Sequence, residues 1–278
     1  MIPKIIHYCW FGEQELPESV KDCMESWRRF FPDFEIKCWD ETNFDISRFV
    51  FAEQAYTLGK YAFVADVCRA YALYSEGGLY FDTDMLFIKP LSNEIVNLKA
   101  FIGWENNFEV NAAIVGSEKA GVFITDLIET YKKLTFNTSN NQVSANLVIP
   151  FIITQILRDK GIIINGEYQC IDNYISIYPK NHFYPKDYKT GYTTIDKDTV
   201  AIHLYDATWH SAEQQLASQK SQLEMRLFYA IRDLKVYFSV GDILSMCYRA
   251  LNKNPFHLFT AIFSKLVSIV QNKVKGSK

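Results

Sequence analysis

Residues 75–88 constrain this chain more than any other stretch: Ser75-Glu76-Gly77-Gly78-Leu79-Tyr80-Phe81-Asp82-Thr83-Asp84-Met85-Leu86-Phe87-Ile88. Two glycines end a helix-like run, three apolar residues read as a short buried strand, and two carboxylates then interrupt an otherwise apolar segment. Charges are rarely set in such surroundings without partners. In an extended chain residues i and i+2 face the same way, so Asp82 and Asp84 would repel unless a proton or a cation lay between them. A divalent cation with oxygen ligands is the economical explanation, and such an ion is free to hold a diphosphate as well.

An Asp-x-Asp pair is weak evidence alone, since with 16 Asp in the chain chance supplies about one. The chain has its own decoy, Asp196-Lys197-Asp198, with a lysine inside it and short β-branched pairs on either side; it reads as a solvated turn.

The length of 278 residues suits one large domain, or one domain with an appendage. A net charge of −3 gives no case for nucleic acid, but the charge is uneven. Residues 223–278 hold 9 Lys+Arg and 3 Asp+Glu (+6), leaving 20 basic and 29 acidic residues elsewhere (−9), so the tail is expected to have its own partner. The six cysteines (Cys9, Cys23, Cys38, Cys68, Cys170 and Cys247) show no Cys-x-x-Cys spacing and read as reduced core residues in a cytoplasmic setting. Residues 1–7 lack the apolar stretch of a signal peptide, and no run reaches the length of a membrane-spanning helix.

Strands are predicted at 4–10, 34–39, 100–104, 112–116, 162–164 and 200–205, and helices at 17–31, 61–75, 120–134 and 143–158, with one or two short helices over 45–58. Val20, Met24, Trp27 and Phe31 share a helical face. The β-α-β opening favours a parallel sheet, hence an α/β fold with a mixed, mostly parallel central sheet and flanking helices. Asp66 and Arg69 stand at i and i+3 on one helix edge; the choice is between a surface ion pair and an edge facing the same cleft as Asp82 and Asp84.

Four segments occur in order: residues 2–12 (Ile-Pro-Lys-Ile-Ile-His-Tyr-Cys-Trp-Phe-Gly), 62–69 (Ala-Phe-Val-Ala-Asp-Val-Cys-Arg), Gly77 through Asp84, and His203 through Trp209. Together they resemble the Asp-x-Asp glycosyltransferases of the capsular-polysaccharide and initiating-mannosyltransferase type, relatives of the large glucosylating toxins' catalytic domains. The resemblance covers about residues 2–210. It implies a single nucleotide-sugar-binding GT-A domain, placed at 1–211, with a helical extension over 212–278. It also implies a divalent metal, Mn²⁺ or Mg²⁺, and a retaining reaction on a saccharide acceptor.

Carried onto this chain, the resemblance puts Trp10 against the nucleotide base, the alternative being a core tryptophan. It places Asp66 near ribose or sugar hydroxyls, Arg69 near the sugar or diphosphate, and Tyr80 on the donor side. Asp82 would contact ribose, sugar or metal, and Asp84 would bind the metal directly. His203, at the end of an apolar strand, is a candidate late metal ligand or else a satisfied core histidine. Trp209 would donate its indole N–H to phosphate or simply pack, and Asn111 would face the sugar or cap a turn. Thr208-Trp209 stands where relatives carry Ser-Trp, and Ile149-Pro150 where they carry Gly-Pro. A UDP-linked hexose or N-acetylhexosamine is the expected donor, and a surface-polysaccharide precursor, lipid-linked in one reading, the expected acceptor. Apolar and lysine residues over 223–278 suggest contact with the inner face of a membrane, or else a helical cap.

Two other readings stay open. Haloacid-dehalogenase-type phosphatases also set Asp-x-Asp after an apolar strand, but continue with Thr or Val where Leu86 stands and then with a helix. A nucleotide-sugar-binding subunit without catalysis is the other.

Overall fold

The computed structural model describes residues 1–12, 14–139, 142–206 and 220–221. Strand β1 (Ile5–Cys9) opens the chain. Helix α1 (Glu18–Phe30) follows Pro17, whose backbone is already set for the first turn, and buries the expected Val20, Met24 and Trp27 face. Then come β2 (Glu35–Trp39), α2 (Val50–Thr57) and α3 (Tyr61–Glu76). Strands β3 (Gly78–Phe81) and β4 (Met85–Phe87) flank the two carboxylates. A single helical turn, α4 (Asn93–Val96), leads to β5 (Ala100–Trp104) and β6 (Val110–Ser117). The remainder comprises α5 (Val122–Tyr131), the short β7 (Thr138–Ser139) and β8 (Gln142–Val143), and α6 (Ile149–Asp159). It ends with β9 (Gln169–Ile171), β10 (Ile175–Tyr178), α7 (Lys180–Phe183) and β11 (Ala201–His203).

Seven strands form the main sheet in the order β2-β1-β3-β6-β5-β10-β9. β1 is parallel to both β2 and β3, and β5 is parallel to β10; β6 and β9 run against their neighbours. Five of the seven strands therefore share one direction, which is the mixed, mostly parallel α/β architecture the sequence predicts. Side chains alternate across it: Tyr80 joins the core under α3, α5 and α6, whereas Leu79 and Phe81 join the core under α1. No helix among the described residues is long and apolar enough to cross a membrane.

Buried polar contacts lock the centre of the sheet. Gly77 and Gly78 have φ of +69° and +112°, and a Cβ on them would meet Lys119 N at 2.5 Å and Ile5 O at 2.6 Å. Trp39 donates its indole N–H to His7 Nδ1 (3.0 Å), so the other ring nitrogen carries the proton and donates to Gly77 O at 2.7 Å. Burial holds the His7 pKa below its ordinary value. This clasp ties β1 and β2 to the turn that launches β3.

Four expectations are corrected. Asp82-Thr83-Asp84 is not extended: Met85 N returns to Asp82 O at 3.1 Å, a turn that lets β4 leave the main sheet and pair antiparallel with β11. Residues 162–164 are irregular, because the Gln169 side chain takes up both the N–H and the C=O of Ile163; the strand is β9 instead. The helix expected from 143 starts at Ile149, with Pro150 in its first turn. Cys170 is exposed; the other described cysteines are buried or half-buried and all five are free, while Cys247 lies outside the described residues.

The chain divides into two compact units, residues 1–186 with 193–209, and residues 187–192 with 210–278. In the second, Asp187–Tyr192 is a turn in which Asp187 Oδ1 accepts from the Thr190 N–H and hydroxyl, both at 2.7 Å. The helical extension expected over 212–278 lies outside the described residues apart from 220–221, which are helical.

Candidate active site

β3 ends at Phe81, and Asp82 N still bonds to Ala113 O (2.8 Å), so the first carboxylate is fixed to the sheet. Asp84, in the turn, is reached from the far end of the chain. β11 pairs with β4 in the register His203↔Met85, and Leu204 N bonds to Asp84 O at 3.0 Å. That ladder sets His203 Nε2 3.1 Å from Asp84 Oδ1, while Asp84 Oδ2 accepts from Asp206 N at 3.0 Å. One ligand atom each from Asp82, Asp84 and His203 lie within 4.8 Å of one another.

Behind this trio is Arg69. Its Nη2 lies 2.9 Å from Asp82 Oδ1 and 3.3 Å from Asp66 Oδ1, and its Nη1 donates to Ala112 O. The guanidinium sits 4.3 Å over the Tyr80 ring. The Asp66 and Arg69 side chains are only 12% and 6% exposed, so the surface-ion-pair reading of this helix edge fails. Arg69 Nε is buried without a partner among the described residues.

The electrostatics follow from burial and these contacts. Burial pushes the Asp66 pKa from 3.8 up to about 7, against the pull of Arg69. Asp82 is also raised, by burial and by Asp84, with Arg69 opposing. Burial would raise Asp84 too, but His203 and the Asp206 N–H outweigh it and hold the pKa below its ordinary value. Burial would favour neutral His203, but Asp84 overrides it and raises the pKa. Burial thus opposes ionisation at Asp66 and Asp82, with Arg69 favouring it, while the partners of Asp84 favour the ionised form there.

The other expected residues divide. Trp10, half-buried just past β1, donates its indole N–H to Gln14 O at 2.5 Å and packs against the core under α1 with part of its ring exposed. Tyr80, expected on the donor side, is buried beneath Arg69 and hydrogen-bonds the Asp82 carboxylate. Asn111 caps locally, its Oδ1 accepting from Ala113 N at 2.7 Å, yet its Nδ2 also points to His203 Nδ1 at 3.4 Å. Trp209 and Thr208 lie outside the described residues. Ile149 donates its backbone N–H to Asp66. The decoy is a solvated turn: Asp196 Oδ1 accepts from the N–H groups of Asp198 (2.8 Å) and Thr199 (3.0 Å). A strand, β4, follows Asp84 where the phosphatase reading needs a helix.

Sequence reasoning missed Glu105. It follows the fully buried β5, and its two oxygens accept from Tyr205 Oη (2.7 Å) and Asn111 Nδ2. The signal was present: like Asp82, it is a carboxylate placed directly after a buried strand.

Residues 17–102 match the family described as "Glycosyltransferase sugar-binding region containing DXD motif", which takes in Asp66, Arg69 and the Asp82-Thr83-Asp84 turn. The chain is similar to inositol phosphoceramide mannosyltransferase 3 of Schizosaccharomyces pombe (strain 972 / ATCC 24843). The two are 26% identical over 142 residues, which are 49% of this chain and 39% of the relative. Among solved structures it is similar to PaToxG glycosyltransferase, with 20% identity, 57% of this chain and 69% of that one covered, and a TM-score of 0.45. It is also similar to a glycosyltransferase involved in glycosylation of the major capsid of PBCV-1, with 11% identity, 78% and 99% covered, and a TM-score of 0.41. The resemblance read from the four sequence segments and the family match thus meet on the same two central segments, 62–69 and 77–84.

Proposed function

We propose that this chain is a metal-dependent, retaining glycosyltransferase that moves a hexose or N-acetylhexosamine from a nucleoside-diphosphate sugar, UDP-linked by preference, to a saccharide acceptor. The observation that carries this reading is the meeting of Asp82, Asp84 and His203 within 4.8 Å, with Arg69 bonded to Asp82.

The donor set fits a divalent ion. Two carboxylates suit Mg²⁺ or Mn²⁺, and an adjacent imidazole favours Mn²⁺. Asp84 would hold the ion directly and Asp82 directly or through water. When bound, such an ion offsets the charge that develops on a departing diphosphate. The chain's own groups supply the rest. Asp66 would accept from sugar or ribose hydroxyls, and Arg69, whose two terminal nitrogens bond Ala112 O, Asp66 and Asp82, would hold those carboxylates beside the sugar or diphosphate. Trp10 offers a ring to the base, and Trp209 an indole N–H to phosphate. No side chain in the four sequence segments that carry the resemblance is a clear nucleophile for the far face of the sugar. A front-face reaction, in which the leaving phosphate accepts the acceptor's proton, needs none.

We assign this transferase to residues 1–211 and read 212–278 as a helical extension. The acceptor is a surface-polysaccharide precursor carried on lipid, with the extension working at the cytoplasmic face of a membrane. The positive charge of residues 223–278 supports that placement. The test is a panel of UDP- and GDP-sugars with Mn²⁺, reading which nucleoside diphosphate is released. Phosphate release from simple phosphomonoesters, with no sugar nucleotide turned over, would overturn the reading in favour of a phosphatase. Donor binding without turnover on any acceptor would leave a binding subunit.

A further inference from the structure

Strands β5 and β6 pair at Phe101↔Gly116 and again at Gly103↔Asn111, but between those points one residue of β5, Ile102, stands opposite residues 112–115 of β6. On its other side β6 keeps its pairing with β3 as far as Phe81↔Ile114. The bulged backbone has outrun its partners on β5, and its buried polar groups need others. Tyr184 supplies them. Its hydroxyl accepts from Ile114 N–H at 3.0 Å and donates its single proton to Asn111 O, also at 3.0 Å, in preference to Ile114 O at 3.5 Å. The residue is fully buried, and its ring lies over Gly103, where a Cβ would meet Tyr184 Cε2 and Phe183 Cδ2, both at 2.8 Å. Between the two positions that the hydroxyl bridges are the groups that hold the site. Ala112 O accepts from Arg69 Nη1, and Ala113 O accepts from Asp82 N at 2.8 Å.

We propose that Tyr184 is a positioning residue for this site: its hydroxyl stands in for the missing bonds to β5, holds the β6 bulge in one shape, and so fixes Arg69 through Ala112 O and Asp82 through Ala113 O. Tyr184 touches neither side chain. It acts through two backbone carbonyls, and Gly103 leaves the room its ring needs. The effect on turnover rests on the transferase reading; the hold on the bulge does not.

The test uses the full-length chain and Tyr184→Phe, which keeps the ring over Gly103 and removes only the hydroxyl. Two readouts are compared. The first is amide hydrogen exchange, which follows local opening: the N–H groups of Ile114 and Asp82 should both exchange about tenfold faster or more in Tyr184→Phe. The second is turnover of a sugar nucleotide with Mn²⁺, under conditions where circular dichroism shows the variant folded. There kcat/KM should fall by about tenfold or more, the scale of a small misplacement of reacting groups. Gly103→Ala keeps the hydroxyl but displaces the ring, and should show both effects as a second variant. Tyr174→Phe is the control. It also loses a buried phenol, one that donates to Asp126 Oδ2 at 2.9 Å on α5 and not to β6, and should change neither readout. Turnover of folded Tyr184→Phe within about twofold of wild type, or an unchanged Asp82 amide, overturns the proposal, and so does an equal loss in Tyr174→Phe. If the wild type turns over no sugar nucleotide, the transferase reading falls and the exchange of Asp82 and Ile114 alone decides whether Tyr184 holds the bulge.

Discussion

Arg69 Nη2 and Asp82 Oδ1 lie 2.9 Å apart, an ion pair that crosses from α3 to the end of β3. The guanidinium is buried, and it is the cation shared by Asp66 and Asp82. Removing one partner of a buried ion pair leaves the other charge uncompensated and costs about 3–5 kcal/mol. Arg69→Ala should therefore lower stability in urea unfolding by about that much. Arg69→Lys keeps the charge but cannot span Ala112 O, Asp66 and Asp82 at once, and should recover only part. A loss below about 1 kcal/mol, the range of an exposed pair, would show that the pair is worth no more than a surface contact.

Asp66 gives a pH signature. Its folded pKa of about 7 lies above its ordinary 3.8, so the folded chain binds the proton more tightly than the unfolded chain. The stability this group contributes is full below about pH 3.8 and is lost as pH rises through about 7. The gap corresponds to at most about 4 kcal/mol. The stability difference between wild type and Asp66→Asn should therefore change steadily between those limits in chemical denaturation. A difference that stays constant with pH would mean the carboxylate is accommodated without cost.

Asp84 and Asp198 are both second carboxylates of an Asp-x-Asp, but only Asp84 is buried beside a partner ring. Asp84→Ala should cut turnover by about a thousand-fold or more, the scale of several kcal/mol of charge stabilisation, with the fold retained by circular dichroism. Asp198→Ala should leave turnover unchanged. Equal loss in both, or full activity in chelator, would move the metal away from this turn.

Trp10 stands half-buried at the mouth of β1. Trp10→Ala should raise the donor KM and weaken free nucleoside diphosphate by about 1–2 kcal/mol, the scale of a lost base stack. Trp10→Phe should regain much of it. Unfolding of Trp10→Ala in place of weakened binding would show the ring to be structural.

The tail can be tested directly. The full chain should pellet with anionic vesicles at low salt, release as salt rises, and lose binding when truncated after residue 222. Failure of the intact protein to pellet would leave residues 223–278 as a cap or an oligomer contact.

The local order of this chain was legible from residue spacing. The apolar face of α1, the glycine-ended α3, the buried β3 and the carboxylates after it are all short-range patterns, and backbone periodicity reports them directly. What the spacing of Asp82 and Asp84 did not show is that they lie in a turn, because a turn is chosen by where the next strand must pair. The destination of β4 is β11, more than a hundred residues away, and that ladder alone brings His203 to Asp84. Glu105 escaped for the same reason. Its partners, Asn111 and Tyr205, come from the next strand and from the segment after β11, so its contacts exist only once the sheet and the ladder have closed. Sequence alone determined which residues carry charge into an apolar region. Tertiary structure decided which of those charges meet, because burial and pairing are properties of contacts that the order of residues does not contain.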